Sequence, residues 1–286
     1  MAASTKTSYK PTFQLAGDLE INRMGYGAMR ITGEGIWGPP ADHDESIRVL
    51  KKAIALGINF IDTADSYGPD VAEKLIAEAL YPYKEGLVIA TKGGLTRSGP
   101  NEWHMNGKPD HLEEALEGSL KRLKAEQIDL YQLHRFDPEV PAEKFLKLLQ
   151  KKQEESLIKH LGLSEVSVEQ IKQAREYFEV VSVQNKYSID SRDWEDELRY
   201  CEQEGIAFIP WYPLNAGNMS TVEKMKPIAE KHGASVHQIA LSWLLHHSPN
   251  ILLIPGTSKV KHLQENVKAA DISLSEEDMQ TLDGLA

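Results

Sequence analysis

The stretch GINFIDTADSYG, residues 57–68, decides the fold that this sequence predicts. Its first half is apolar and β-prone, with Ile58 and Phe60 following a glycine that can make the turn into a strand. Its second half is polar and carries Asp62 and Tyr67. A carboxylate at the tip of a buried strand costs free energy unless a positive group lies beside it. The stretch therefore predicts a buried strand that ends at a site with a compensating cation.

The next two strand-like runs end in the same way. LVIATKGG (87–94) places Lys92 near its end, and IDLYQLHRF (128–136) places His134 near its own. Because the carboxyl ends of successive parallel strands meet at one edge of a sheet, we expect these side chains to converge there.

Strand-like and helix-like segments alternate along the rest of the chain. The apolar patterns predict strands at 23–31, 58–62, 87–92, 128–134, 158–163, 180–184, 206–211 and 251–254. They predict a first helix capped by Asp44, and further helices near 71–80, 111–124, 142–156, 167–178, 193–204, 220–232, 235–247 and 259–269. Several strands are continuous apolar runs, as expected where both faces of a parallel sheet are covered. The pattern is typical of an α/β fold, a (β/α)8 TIM barrel with its site at the carboxyl ends of the strands.

The same reading gives the domain organisation. No Ser/Gly-rich linker divides the chain, which predicts a single barrel domain over residues 1–286. An N-terminal β-hairpin is predicted at 12–22, around a Gly-Asp turn. A short C-terminal tail, 273–286, begins with the capping box Ser275 to Asp278 and predicts a last helix.

A doubly wound nucleotide-binding fold is the alternative architecture. Its glycine-rich fingerprint would need a third glycine where the run Gly25-Tyr-Gly27-Ala-Met-Arg30 has an arginine. We therefore favour the barrel.

Composition excludes several classes of function. The 286 residues carry 32 basic and 43 acidic side chains, a net charge of −11, which argues against nucleic acid or an anionic membrane as partner. No apolar run approaches the roughly 18 residues of a membrane span, and the N-terminus lacks an apolar signal core, so we expect a cytoplasmic protein. Cys201 is the single cysteine, which excludes an internal disulfide and a cysteine-based metal cluster. No metal site is predicted.

The four polar residues at the strand ends suggest a reaction. A tyrosine with a pKa near 10 is a poor acid at neutral pH until a cation stabilises its phenolate. Lys92 can supply that charge to Tyr67, and Asp62 can hold Lys92 in place. His134 can orient a carbonyl oxygen against the tyrosine. Each residue alone has an ordinary structural explanation, but together they predict a proton donor worth about 100- to 10,000-fold in rate.

A proton donor without a nucleophile suggests that a cofactor brings a hydride. The later strand ends suit a nicotinamide: Ser164 and Gln184 offer hydrogen bonds to its amide, and Trp211 offers a flat face. The run Gly256-Thr257-Ser258-Lys259 and the following helix can hold a phosphate.

The chain resembles an aldo-keto reductase over nearly its whole length. The resemblance rests on the ordered motifs GINFIDTADSYG, LVIATKGG, IDLYQLH, IKHLGLS, VSVQNKYS, GIAFIPWYPL and IPGTSKVKHLQEN. It implies Tyr67 as general acid, Asp62 and Lys92 as its tuning pair, and His134 as the orienting residue. It implies NADP(H) as cofactor, held by Ser164, Gln184, Trp211, Pro213, Leu214, Gly256, Thr257, Ser258, Lys259, Glu265 and Asn266.

Three positions depart from the family pattern. Glu165 stands where an asparagine is usual, and an ionised carboxylate cannot donate to the nicotinamide amide. His262 replaces an arginine for the 2′-phosphate, which leaves Lys259 as the main contact for a preference for NADPH. Ala77 replaces a glycine, which we interpret as a packing change.

Within the family, the runs GAMRITGEGIWGPP, ALYPYKEGLVIATK and SPNILLIPGTS resemble bacterial members that include pyridoxal reductases. This resemblance suggests a small aldehyde, pyridoxal among the candidates, bound against Met29, Trp37, Trp103 and Phe136. The alternative function is a non-catalytic regulatory subunit of the same fold that senses NADP(H). The oligomeric state stays open.

Overall fold

A parallel sheet forms the centre of the structure, a computed structural model that describes residues 9–214 and 219–285. Seven strands pair in the order β11-β10-β9-β8-β5-β4-β3, and every pair is parallel. Their bounds are β3 (Tyr26–Gly27), β4 (Phe60–Asp62), β5 (Val88–Gly93), β8 (Ile128–Leu133), β9 (Ile158–Ser164), β10 (Val180–Gln184) and β11 (Ala207–Phe208).

The segment 251–254 closes this sheet into a barrel. On one side, the backbone N–H of Leu252 donates to the carbonyl of Phe208 at 2.9 Å. On the other, Leu253 donates to the Arg23 carbonyl at 2.8 Å, and Gly25 donates back to Leu253 at 2.7 Å. The segment is the eighth parallel strand in position, so the predicted (β/α)8 barrel is confirmed.

Glycines make this closure possible. A Cβ at Gly27 would lie 2.6 Å from the carbonyl oxygen of Ile254, and one at Gly25 would lie 2.9 Å from that of Leu253. The two glycines that resemble part of a nucleotide fingerprint therefore serve the close approach of two barrel strands.

The N-terminal hairpin covers one end of the barrel. Strands β1 (Thr12–Leu15) and β2 (Leu19–Asn22) pair antiparallel, which confirms the hairpin predicted at 12–22. Leu15 and Ile21 are fully buried and belong to one apolar cluster with the barrel residues Phe60, Val88 and Leu130. Because apolar side chains seal this end, a ligand has to enter at the other end, where the carboxyl ends of the strands lie.

Helices follow the strands and cover the barrel. Their bounds are α1 (His43–Ala55), α2 (Val71–Leu80), α3 (Pro109–Leu123), α4 (Ala142–Glu154), α5 (Val168–Ala174), α6 (Glu195–Glu204), α7 (Val222–His232), α8 (Val236–His247), α9 (Val260–Lys268) and α10 (Glu276–Asp283). The predicted capping box Ser275 to Asp278 begins α10. The cap predicted for α1 was wrong: Asp42, not Asp44, accepts from the Glu45 N–H, at 2.9 Å. Among the described residues, no helix is long and apolar enough to span a membrane.

Two further expectations differ from the structure. The long loop expected after the strand at 87–92 contains a second hairpin, β6 (Leu95–Gly99) and β7 (Glu102–Met105), turning at Pro100 and Asn101. The strand expected at 23–31 is cut to β3 because Ala28–Ile31 form a 3-10 helix that continues along the rim. The hairpin adds a wall to one side of the open end.

Cys201 is a free cysteine and is fully buried, at 0% exposure. Ala77 is also buried, at 4% exposure, and packs in the core. Burial raises the pKa of the Cys201 thiol, which keeps it protonated and unreactive.

Candidate active site

A buried lysine lies at the centre of the site. Its Nζ donates to Asp62 Oδ2 at 2.7 Å and to the Thr63 carbonyl at 2.8 Å, and lies 3.3 Å from the Tyr67 hydroxyl oxygen. Lys92 comes from β5 and Asp62 ends β4, while Tyr67 stands in the loop that follows β4. The neighbouring strand ends thus bring the Asp62 carboxylate, the Lys92 amine and the Tyr67 phenol together, as the sequence predicts.

The second oxygen of Asp62 is also held. Gln184 and Gln132 donate their side-chain amides to Asp62 Oδ1 at 2.8 and 3.2 Å. Because both carboxylate oxygens have donors from other strands, the Asp62 side chain is fixed in the barrel interior and keeps Lys92 in place.

The electrostatics favour a protonated phenol beside a charged amine. Burial would lower the pKa of Lys92, but the charges and hydrogen bonds of Asp62 and Tyr67 together outweigh it, and the pKa is raised. Burial raises the pKa of Tyr67, while the positive charge of Lys92 offsets part of that rise. Tyr67 therefore carries its proton at neutral pH, and Lys92 lies where it stabilises the phenolate that forms when the proton leaves.

His134 faces the phenol from the end of β8. The His134 and Tyr67 ring centroids are 6.0 Å apart at an interplanar angle of 77°. Burial, together with the nearby charges of Lys92 and Arg135, lowers the pKa of His134 well below 6.5, so the imidazole is neutral. Its Nδ1 is buried and has no hydrogen-bond partner among the described residues.

These groups open into a cavity of about 840 Å³ at the carboxyl end of the barrel. Asp62, Tyr67 and His134 lie in its lining. Of the residues predicted to hold the cofactor, Ser164, Gln184, Trp211, Pro213, Leu214 and Gly256 also line it.

Ser164 and Gln184 have partners within the chain in this structure. Ser164 Oγ donates to the Gln184 carbonyl at 2.9 Å and accepts from an Arg135 nitrogen at 3.1 Å. The Gln184 amide donates to Asp62, so a ligand amide would have to share or replace these bonds.

Glu165 is directed toward the loop after β10 and toward Trp211. Its Oε1 accepts from the backbone N–H of Lys186 at 2.7 Å and from the Trp211 indole N–H. The carboxylate therefore ties two segments of the cavity wall together.

Five of the residues predicted to hold the cofactor lie outside the lining of this cavity: Thr257, Ser258, Lys259, Glu265 and Asn266. Lys259 precedes the first turn of α9, where the Val260 N–H donates to Glu45 Oε1 at 3.1 Å. A carboxylate thus already occupies part of the helix terminus that the sequence predicts for a phosphate.

Of the four residues expected in the substrate wall, two line the cavity and two do not. Met29 and Trp103 line it. Trp37 lies instead at the surface, 36% exposed. The Phe136 ring packs edge-on against Phe145, with ring centroids 5.1 Å apart. Trp103 meets Tyr67 edge-on with ring centroids 6.3 Å apart.

Sequence reasoning missed several residues of the cavity. They are Gly27, Arg30, Ile36, Leu95, Asn101, Met105, Arg135, Lys186, Tyr212, Ile254 and Pro255. Arg135 had a signal, since it directly follows His134 at a strand end. Leu95, Asn101 and Met105 had none, because they belong to the hairpin that the sequence did not predict.

A buried tyrosine beside an ion-paired lysine, in a cavity at the carboxyl end of a parallel barrel, defines a barrel enzyme equipped for proton transfer. Residues 23–286 match the model of the Aldo/keto reductase family. The chain belongs to the aldo-keto reductase family, as its motifs predict.

Individual relatives cover nearly the whole chain. An oxidoreductase of Schizosaccharomyces pombe is 56% identical over 93% of this chain and 87% of its own length. The pyridoxine 4-dehydrogenase of Escherichia coli is 42% identical over 96% of this chain and 98% of its own.

Solved structures agree with the fold. A thermostable aldo-keto reductase, crystallised with the inhibitor epalrestat, matches with a TM-score of 0.85 and 33% identity, covering 98% of this chain and 100% of that one. An aldo-keto reductase from Klebsiella pneumoniae, crystallised with NADP and acetate, matches with a TM-score of 0.80 and 26% identity, covering 96% and 95%.

Proposed function

We propose that the protein reduces an aldehyde or ketone to the alcohol with NADPH, and that Tyr67 donates the proton. The observation that carries the proposal is the arrangement of Lys92 between Asp62 and the Tyr67 hydroxyl, at 2.7 and 3.3 Å, in a ligand-sized cavity. Membership of the aldo-keto reductase family supports the same reaction class.

The residues of the cavity fit a nicotinamide cofactor. The cavity volume of about 840 Å³ lies within the usual range of ligand pockets, roughly 300–1,000 Å³. Arg30 and Lys186 are exposed cations of the lining and suit phosphate groups at the rim. Trp211 offers an aromatic face deeper in the cavity, and Ser164 and Gln184 would hold the nicotinamide amide. Lys259 would favour the 2′-phosphate of NADPH over NADH.

The chain's own residues account for the proton. When bound, the cofactor would supply the hydride to the carbonyl carbon. Negative charge then develops on the carbonyl oxygen, and the Tyr67 hydroxyl gives its proton to that oxygen. Lys92 stabilises the resulting phenolate, and Asp62 keeps Lys92 charged and in place. The neutral His134 imidazole donates a hydrogen bond to the same oxygen and orients it.

We further propose a small aldehyde as the substrate, with pyridoxal as the first candidate. The name of the Escherichia coli relative, a pyridoxine 4-dehydrogenase, supports a pyridoxine-type ligand. The apolar wall of Met29 and Trp103 suits a flat ring.

A panel of aldehydes that includes pyridoxal, assayed by the loss of NADPH absorbance, tests this proposal. We expect turnover with at least one aldehyde and the highest kcat/KM for pyridoxal or a close analogue. Tight NADPH binding with no turnover of any aldehyde would favour a cofactor-sensing subunit instead. Equal kcat/KM for pyridoxal and unrelated aldehydes would contradict the substrate proposal alone.

A further inference from the structure

We propose that Arg135 binds an anionic group of the ligand in the cavity, so that a carbonyl compound carrying a carboxylate or phosphate is preferred over its uncharged counterpart. The inference rests on the proposed function, because it concerns the same cavity. Arg135 lies in the cavity lining, one residue after His134.

Among the described residues, the Arg135 guanidinium is held by hydrogen bonds from only one of its three nitrogens. Its NH1 nitrogen donates to the His134 carbonyl at 2.6 Å and to Ser164 Oγ at 3.1 Å. Within the described part of the chain, Nε and NH2 of Arg135 make no hydrogen bond, and no carboxylate forms an ion pair with it. The two NH1 bonds fix the plane of the group, so its remaining donors are oriented before a ligand arrives.

The acidic groups nearby are already engaged. Asp62, the one carboxylate in the described cavity lining, pairs with Lys92. Glu165 acts on Arg135 only at longer range, and its Oε1 accepts from Lys186 and Trp211. Burial lowers the pKa of Arg135, yet an arginine stays charged at neutral pH. A half-buried charge without a counter-ion costs free energy, which an anionic ligand would recover.

The charge of the cavity contrasts with that of the protein. The whole chain carries −11, whereas Arg30, Arg135 and Lys186 all line the cavity. Arg30 and Lys186 are exposed at the rim, while Arg135 lies deeper, between His134 and Ser164. An anion paired with Arg135 is therefore close to the groups that would bind the reacting carbonyl. The forked donors of arginine suit a carboxylate or phosphate that accepts two hydrogen bonds.

The test compares 4-carboxybenzaldehyde with benzaldehyde, two aldehydes of similar shape that differ by one negative charge. Kinetics give kcat/KM for each, and calorimetry gives the Kd of each aldehyde and of NADPH. We expect wild type to favour the charged aldehyde by about tenfold or more, the range of a charge-assisted hydrogen bond. Arg135→Gln should reduce this ratio about ten- to a hundredfold. The matched variant Arg135→Lys keeps the charge but loses the fork, and should retain part of the preference.

The aldehyde ratio and the Kd of NADPH together distinguish a substrate anion from a cofactor phosphate as the partner of Arg135. If a cofactor phosphate is the partner, Arg135→Gln raises the Kd of NADPH by a similar factor and leaves the aldehyde ratio at its wild-type value. A folded Arg135→Gln protein with both the ratio and the NADPH Kd unchanged would overturn the assignment. Wild type that binds the charged aldehyde more tightly but turns over neither aldehyde would contradict the proposed reaction and leave the Arg135 site standing.

Discussion

Tyr67 can serve as an acid because its surroundings keep the proton on the phenol and prepare for its loss. Burial raises the pKa of Tyr67, and the Lys92 amine 3.3 Å away limits the rise. His134 is neutral because burial and two neighbouring cations lower its pKa. Both groups are therefore in the protonation state that carbonyl reduction needs.

These pKa shifts predict the pH dependence of the reaction. The acid form of Tyr67 is lost only as pH rises through a pKa above 10, and the neutral form of His134 is lost only as pH falls to a pKa well below 6.5. We expect kcat for reduction to vary less than about threefold between pH 6.5 and 9. A pH series of kcat at saturating NADPH and aldehyde measures this. A steep fall in kcat near pH 7 would show that another group titrates.

Glu165 offers a second test at the residue scale. Both of its hydrogen bonds go to Oε1, so Glu165→Gln can keep them, whereas Glu165→Ala removes the tie between Trp211 and the Lys186 backbone. We expect Glu165→Ala to weaken NADPH binding by roughly fivefold or more, the value of about one hydrogen bond, and Glu165→Gln to weaken it less. Titration of Trp fluorescence with NADPH gives both values. Tighter binding in Glu165→Ala would mean that the carboxylate opposes the cofactor.

At this scale the sequence predicts positions better than contacts. Asp62, Lys92 and His134 could be found because each is a polar residue at the end of an apolar strand. The direction of the Glu165 side chain could not be predicted, since it depends on a backbone φ of 54° at that residue. Neither could the bond from Gln184 to Asp62, which joins residues 122 positions apart.

Among the elements, the hairpin β6–β7 is anchored to its neighbours by an arginine with several hydrogen bonds. Arg97 donates to the carbonyls of Ile36, Ser66 and Gly35 at 2.7, 3.0 and 2.9 Å. Its guanidinium carbon lies 3.6 Å from the centroid of the Trp103 ring. Trp103 in turn contacts Tyr67, so Arg97 connects the hairpin and two loops to the active site.

We predict that Arg97→Lys displaces this wall. Lysine keeps the charge but cannot form the planar fork that reaches several carbonyls at once. The KM for an aldehyde should rise about tenfold, with a smaller change in the Kd of NADPH, because Trp103 belongs to the expected substrate wall. Thr96→Ala, in the same strand, is the matched control. Equal KM values for Arg97→Lys and wild type would show that the hairpin keeps its place without the fork.

The last helix, α10, depends on a buried carboxylate. Asp278 accepts from Lys231 Nζ at 2.7 Å, pairs with His232 Nε2 at 2.9 Å and accepts from the Ser275 N–H at 3.0 Å. Although burial would raise it, these donors hold the pKa of Asp278 well below 3.8. The stabilisation is thus present above about pH 4 and is lost as pH falls through the folded-state pKa.

Asp278→Asn should therefore lower the free energy of unfolding by about 1–3 kcal/mol at pH 7, and by less at pH 3, where the same carboxyl in the unfolded chain is largely protonated. Urea unfolding at the two pH values measures the difference. Glu277→Gln removes the same charge from the exposed neighbouring position and should have little effect. If Asp278→Asn lowered the free energy of unfolding equally at both pH values, the effect of Asp278 would come from packing and not from its charge.

Elements with a strong apolar period were predictable, while those set by distant contacts were not. The helices were placed to within a few residues, as for α4, expected at 142–156 and observed at Ala142–Glu154. The β6–β7 hairpin was missed because β7, Glu-Trp-His-Met, has only half-buried or exposed side chains and no apolar alternation.

On the scale of the whole molecule, the barrel explains why one end carries the chemistry. The hairpin β1–β2 seals the opposite end with Leu15 and Ile21, so the cavity opens only where the carboxyl ends of the described strands meet. Closure by 251–254 was predictable from its apolar run, although only its neighbours in space identify it as the strand between β11 and β3. That residues 1–286 fold as a single domain stays a prediction.

The central claim is that Tyr67 donates the proton, and Tyr67→Phe tests it most directly. The variant keeps the ring but removes the transferable proton. With the aldehyde that wild type reduces best, we predict that kcat falls by at least about 100-fold, while the Kd of NADPH changes by less than about twofold. Tyr81→Phe, at a half-exposed tyrosine, is the control and should keep wild-type kcat. A Tyr67→Phe enzyme with wild-type kcat and wild-type NADPH affinity would contradict the account.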